Sequence, residues 1–183
     1  MRTITSIILL ITMAFFTACE GPTGPRGEDG LDGFDGTSLT GQIFEIEGDF
    51  TEGNNYTLHY DFPNDFEIYT TDIVMVYILW DQVDSPDGLL DRWRALPQTM
   101  VIENQGAYDG VYQYNFDYTV SSVNVFVDFT VDELLPEESE NQIFRVAVLP
   151  AADALSVDLN DMNAVMKLMD VSASSVKKIS MTK

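Results

Sequence analysis

The sequence predicts a mainly β protein: an antiparallel β-sandwich with one short C-terminal helix, preceded by a signal peptide and an extended Gly-X-Y linker. Three observations carry this. From residue 41 onward, short runs rich in aromatic and β-branched residues are separated by turn residues, with no helical period between them. A helical apolar repeat occurs near the C-terminus, in DLNDMNAVMKLMD (158–170). The chain begins instead with a charged start, an apolar run and then glycine at every third position.

The strands follow in order. IFEIEGDF (43–50) alternates, with Phe44 and Ile46 on one face and Glu45 and Glu47 on the other. YTLHY (56–60) follows the turn signal Glu52-Gly53-Asn54-Asn55. DIVMVYILW (72–80) is apolar at nearly every position, as expected of a central strand covered on both faces. DSPDGLLDRWRALPQ (84–98) is expected to be a long connection, and Asp109-Gly110 to mark a turn. VYQYNFDYTV (111–120) puts Tyr112, Tyr114, Phe116 and Tyr118 on one face, opposite Gln113, Asn115 and Asp117. VNVFVDFTV (123–131) follows after Ser121-Ser122, so the two form a hairpin. IFRVAVLP (143–150) is a further strand, preceded by the acidic loop PEESENQ and closed by Pro150. In the C-terminal helix Met162, Val165, Met166 and Met169 share one face, with Asp158 or Asn160 as its cap. Methionines at this spacing are core packing. The tail SSVKKISMTK is either a last edge strand or frayed.

A chain of 183 residues with 45% hydrophobic content holds one globular domain with a core, at residues 41–183. Residues 1–18 form a processed segment: Met1-Arg2-Thr3 is positive, ITSIILLITMAFF (4–16) is apolar, and Thr17 and Ala18 are small. The apolar run is shorter than the roughly 20 residues a membrane-spanning helix needs. Cys19 is the only cysteine, so an intramolecular disulfide is impossible, and an exported thiol requires a cap. Phe16-Thr17-Ala18-Cys19 resembles the lipobox of bacterial lipoproteins, with Phe16 and Thr17 departing from its commonest form. The resemblance implies that Cys19 becomes the first residue and carries the acyl chains of a membrane anchor. Two or more chains give stable anchoring where one does not. Glu20 replaces the aspartate of the common inner-membrane retention signal, which points to the outer membrane, periplasmic or surface-exposed.

The formal net charge is −21. Loss of residues 1–18 removes Arg2 and leaves eight Lys plus Arg against thirty Asp plus Glu, hence −22. Such a charge argues against docking on nucleic acid and on anionic headgroups, because both repel it.

Residues 19–40 join the cysteine to the domain. Gly21, Gly24, Gly27, Gly30, Gly33 and Gly36 define six Gly-X-Y triplets, the period at which collagen places glycine on its crowded axis. Three readings stand. A flexible acidic spacer would reach about 25 Å as a coil, or about 55 Å extended at about 3.1 Å per residue. A homotrimeric stalk would crowd Asp29, Asp32 and Asp35 from three chains. Calcium binding by EDGLDGFDG suits oxygen ligands, but aspartate at every third residue does not match the alternate-residue spacing of an EF-hand loop.

No catalytic constellation stands out. The single histidine, His59, lies in a strand-like run and is read as an ordinary strand residue. Zinc sites need several His or Cys ligands, so no metal is expected. G-x-S-x-G, a Walker loop and a strand-linked GxGxxG are all missing, so neither a serine hydrolase nor a nucleotide cofactor is expected. The locally unusual group is Arg92-Trp93-Arg94 in a very acidic chain. Two readings apply: Trp93 stacks on a sugar or anchors a protein partner while the arginines fix a carboxylate, or Trp93 plugs the end of the sandwich and the arginines pair with nearby acids.

WRALPQT (93–99), YQYNFDYTV (112–120) and NQIFRVAVLP (141–150), together with the triplets, resemble a group of small lipoproteins of Gram-negative bacteria that carry a short collagen-like repeat before a β-rich domain. The resemblance implies location and architecture, with no activity attached. The expectation is a non-enzymatic envelope protein that binds or spaces. Carbohydrate recognition through Trp93 is the alternative, and a hydrolase with converging carboxylates is a further one.

Overall fold

The computed structural model describes residues 41–181 apart from 65, 67, 87, 105 and 106. The chain divides into two units, residues 1–37 and 38–183, and all described residues belong to the second. The signal segment, Cys19 and the glycine triplets lie outside the described residues.

The second unit is a β-sandwich. Its strands are β1 (Gln42–Gly48), β2 (Thr57–Asp61), β3 (Ile73–Ser85), β4 (Gly88–Ala95), β5 (Gln98–Asn104), β6 (Ala107–Tyr118), β7 (Ser122–Phe129), β8 (Gln142–Leu149) and β9 (Lys177–Ser180). One sheet has the order β4-β3-β8-β1-β9 and the other β2-β7-β6-β5. Every pairing is antiparallel except that β9 runs parallel to β1. The basic tail is therefore an ordered edge strand, and its exposed Lys177 and Lys178 discourage a further strand from pairing there.

Strand alternation sets the layers. Phe44 and Ile46 of β1, Val74, Val76 and Ile78 of β3, and Phe144, Val146 and Val148 of β8 face the second sheet, where Tyr112, Tyr114, Val123, Val125 and Val127 meet them. The opposite face of the five-stranded sheet is also covered. There Tyr77, Ala147 and Leu149 pack under Met162, Val165, Met166 and Met169. From Ile73 to Ile78 β3 is thus covered on both sides, as its unbroken apolar run predicts.

Among the described residues the expected C-terminal helix is joined by two single-turn helices, giving α1 (Pro136–Ser139), α2 (Ala151–Ala154) and α3 (Met162–Leu168). α1 lies inside the expected acidic loop, because the Glu138 carboxylate turns back to accept from the Leu135 amide at 2.8 Å. α2 starts directly after Pro150, whose fixed φ suits a helix start. α3 is the predicted amphipathic helix, but its cap is Asp161, not Asp158 or Asn160. Asp161 Oδ1 accepts from the amides of Asn163 and Ala164 at 2.9 and 3.2 Å, and Asp158 instead holds the preceding turn through Asn160 N.

Asp109-Gly110 is not a turn. Both residues lie within β6, where Gly110 pairs with Ile102 beside a register shift. A Cβ on Gly110 would come within 2.6 Å of Val131 Cγ1, so the glycine serves close packing there. Strand β5 was not anticipated from sequence. It follows β4 through Leu96-Pro97, a cis peptide, as the chain passes from one sheet to the other.

Candidate functional site

The segment expected to be a long connection is an arm. β3 is thirteen residues long and pairs with β8 only from Ile73 to Ile78. Beyond that its partner is β4, from Leu79↔Trp93 to Ser85↔Gly88, with a register shift at Trp80. Gly88 adopts φ 115° at the turn, in the region that favours glycine. The Asp-Ser-Pro-Asp-Gly run reads as loop because its composition is that of a turn, while the strands on either side are polar and lack an alternating apolar face. Past Ile78 the hairpin continues for seven residues of β3, about 23 Å at about 3.3 Å per residue. Its Leu89 and Leu90 are 61% and 54% exposed.

Between the arm and α3 lies a groove of about 830 Å³. Leu89, Leu90 and Trp93 line the arm side, and Asn163 and Lys167 belong to the helix side. Arg145 is part of its floor. The three residues singled out in the sequence separate here. Arg92 lines the groove and pairs with Asp81 at 3.0 Å, both side chains about half exposed. Arg94 points to the sandwich side of β4 and lies over the Trp80 ring, 3.7 Å from its centre, and pairs with no acid among the described residues. Trp93 is half-buried on the helix-facing side rather than plugging the end of the sandwich. The Arg145 guanidinium sits 4.0 Å from the centre of its ring.

Sequence reasoning missed the ionic group beneath Trp93. Arg145 on β8 and Glu45 on β1 are cross-strand partners, buried at 3% and 4% exposure. Arg145 Nε donates to Glu45 Oε1 at 3.1 Å, and its Nη1 approaches Met166 Sδ at 3.0 Å. Lys178 of β9 reaches the other Glu45 oxygen at 3.3 Å. The pair lies in a row that crosses the whole sheet: Ala95, Tyr77, Arg145, Glu45 and Lys178. Tyr77 donates its hydroxyl to the Leu159 carbonyl at 2.6 Å, and burial with Asp158 and Asp161 nearby pushes its pKa well above the ordinary phenol value. The available signal was an arginine inside the apolar run IFRVAVL, which needs an acidic partner on a neighbouring strand.

His59 lies on the outer, solvent-facing side of the four-stranded sheet. Its Nδ1 is 2.6 Å from Asn124 Oδ1, and Asn124 Nδ2 donates to Asp117 at 2.7 Å. Its Nε2 is 3.1 Å from Asp61. The Asn124 contact, then Asp61, raises the imidazole pKa above its ordinary value against a smaller opposing effect of burial. Among the described residues no group of three or more His, Cys, Asp or Glu side chains is placed to hold a metal ion, and no helix is long and apolar enough to cross a membrane.

The groove therefore presents an indole, two exposed leucines and a few charges. No protein-family model, curated protein or solved structure matches this chain, so the arm and its groove stand on their own geometry.

Proposed function

We propose that this chain is a non-enzymatic lipoprotein of the bacterial cell envelope, anchored to the outer membrane through acylated Cys19, whose sandwich binds a partner through the groove between the β3–β4 arm and α3. Residues 19–40 space the domain from the bilayer. Support for the anchor is the position of the only cysteine, directly after an apolar run and two small residues. The observation that carries the binding role is the pair Leu89 and Leu90, exposed on an arm beside a groove that contains Trp93.

Intact mass of the detergent-extracted protein, beside Cys19→Ala, tests the anchor. The expected result is an acylated N-terminal cysteine in the parent and membrane release of the variant. An unmodified Cys19 would overturn it. A glycan ligand is the second reading, favoured by the Asn160, Asn163 and Asp91 side chains that line the groove with Trp93. Titration with oligosaccharides while following tryptophan fluorescence tests it, and an unchanged signal with every glycan class removes it.

A further inference from the structure

We infer that the occupant of the groove is the arm of a second copy of this chain, each arm seated in the other copy's groove about a two-fold axis. The inference rests on the reading of the groove as a binding site.

The arm lacks cover of its own. Past Ile78 it is a two-stranded ribbon, an arrangement of marginal stability in water unless an apolar face is packed. Val83 and Leu90 are cross-strand partners and both line the groove, with Leu89 beside them at the tip. Apolar side chains gathered at the end of a projection form a contact surface rather than a core.

Charge selects the partner. The chain carries −21, and residues 95–144, which include three of the four strands of the second sheet, contain no Lys or Arg. β2, the fourth, has none either. Two copies repel each other across that surface. At the groove the balance differs, because Arg92, Lys167 and Arg145 stand beside Asp91 and Asp161, and Arg145 is already neutralised by Glu45. With Arg145 held by Glu45, the remaining charges of the patch balance and let it face its own copy without net repulsion, and the exposed leucines of the arm together with Trp93 in the groove make it self-complementary. A patch that meets itself closes as a two-fold pair.

The test uses the detergent-extracted full chain. Sedimentation should show a dimer whose fraction rises with added salt, because salt screens the repulsion between the acidic bodies and leaves the apolar contact intact. Leu90→Asp should weaken the dimer by about tenfold or more, with an unchanged urea midpoint because the side chain is exposed. A benzophenone side chain at position 89, irradiated in whole cells, gives an independent readout. An adduct of twice the chain mass supports the inference. A monomer at every concentration, or an oligomer indifferent to Leu90→Asp, overturns it. An adduct to a different molecule overturns the second copy yet keeps the groove as a binding site, whereas no adduct at all removes both.

Discussion

Glu45 and Arg145, one hundred residues apart in the chain, face each other across β1 and β8 with both side chains buried between the five-stranded sheet and α3. Such a pair is maintained by completeness. Arg145 meets Glu45, Met166 and the Trp93 ring, and Glu45 also receives Lys178. Arg145→Met removes the main partner of a buried carboxylate and is expected to cost about 3–5 kcal/mol in urea unfolding. Adding Glu45→Leu should recover most of that loss, since replacing both charges by apolar groups is often close to neutral. A double variant no more stable than Arg145→Met would show that Trp93 stacking, not the ion pair, dominates the site.

His59 makes stability depend on pH in a defined direction. Its folded pKa lies above the ordinary 6.5, chiefly through Asn124 and then Asp61. The stabilisation is fully present below pH 6.5 and is lost as pH rises through the raised value. The effect is small, because the ring is largely exposed. NMR titration of the imidazole should show a pKa above 6.5 that moves back toward it in Asn124→Ala. A titration midpoint indifferent to Asn124 would refute the assignment.

Capping of α3 separates two neighbouring residues. Asp161→Ala leaves the amides of Asn163 and Ala164 without their acceptor and is expected to cost about 1 kcal/mol. Asn160→Ala, at an exposed position outside the cap, should stay within about 0.5 kcal/mol of the parent. Equal losses in thermal unfolding would mean that the cap lies elsewhere.

The arm should open on its own. Gly88→Ala forces an L side chain to φ 115°, a conformation that costs about 1–3 kcal/mol. The arm packs less than the sandwich, so the cost falls on local opening. Amide exchange is expected to speed up from residues 79 to 93 with little change in the urea midpoint. A midpoint shift as large as that of a core variant such as Phe144→Ala, about 3–5 kcal/mol, would show that arm and sandwich unfold together.

The alternation of apolar residues was legible because burial on a strand has a period of two and each strand records its own inner face. Phe44 and Ile46, the Tyr112, Tyr114 and Phe116 series and the β6–β7 hairpin follow directly from it, as does the methionine face of α3 from the helical period. Glu45 broke the rule. Its outward position is buried, because α3 covers that face of the sheet and Arg145 of the adjacent β8 pairs with it, neither of which any local pattern announces.

Strand faces, the amphipathic helix, the acidic charge and the lone cysteine after its apolar run are legible in the chain because each is written in neighbouring residues. Long-range packing makes the Arg92-Trp93-Arg94 segment the return strand of an arm, turns Trp93 to the helix side over Arg145 and Arg94 to the sandwich side over Trp80, and seats the basic tail beside β1. These are contacts between segments distant in the chain, and turn composition or local periodicity carries no record of the partner against which a face is buried.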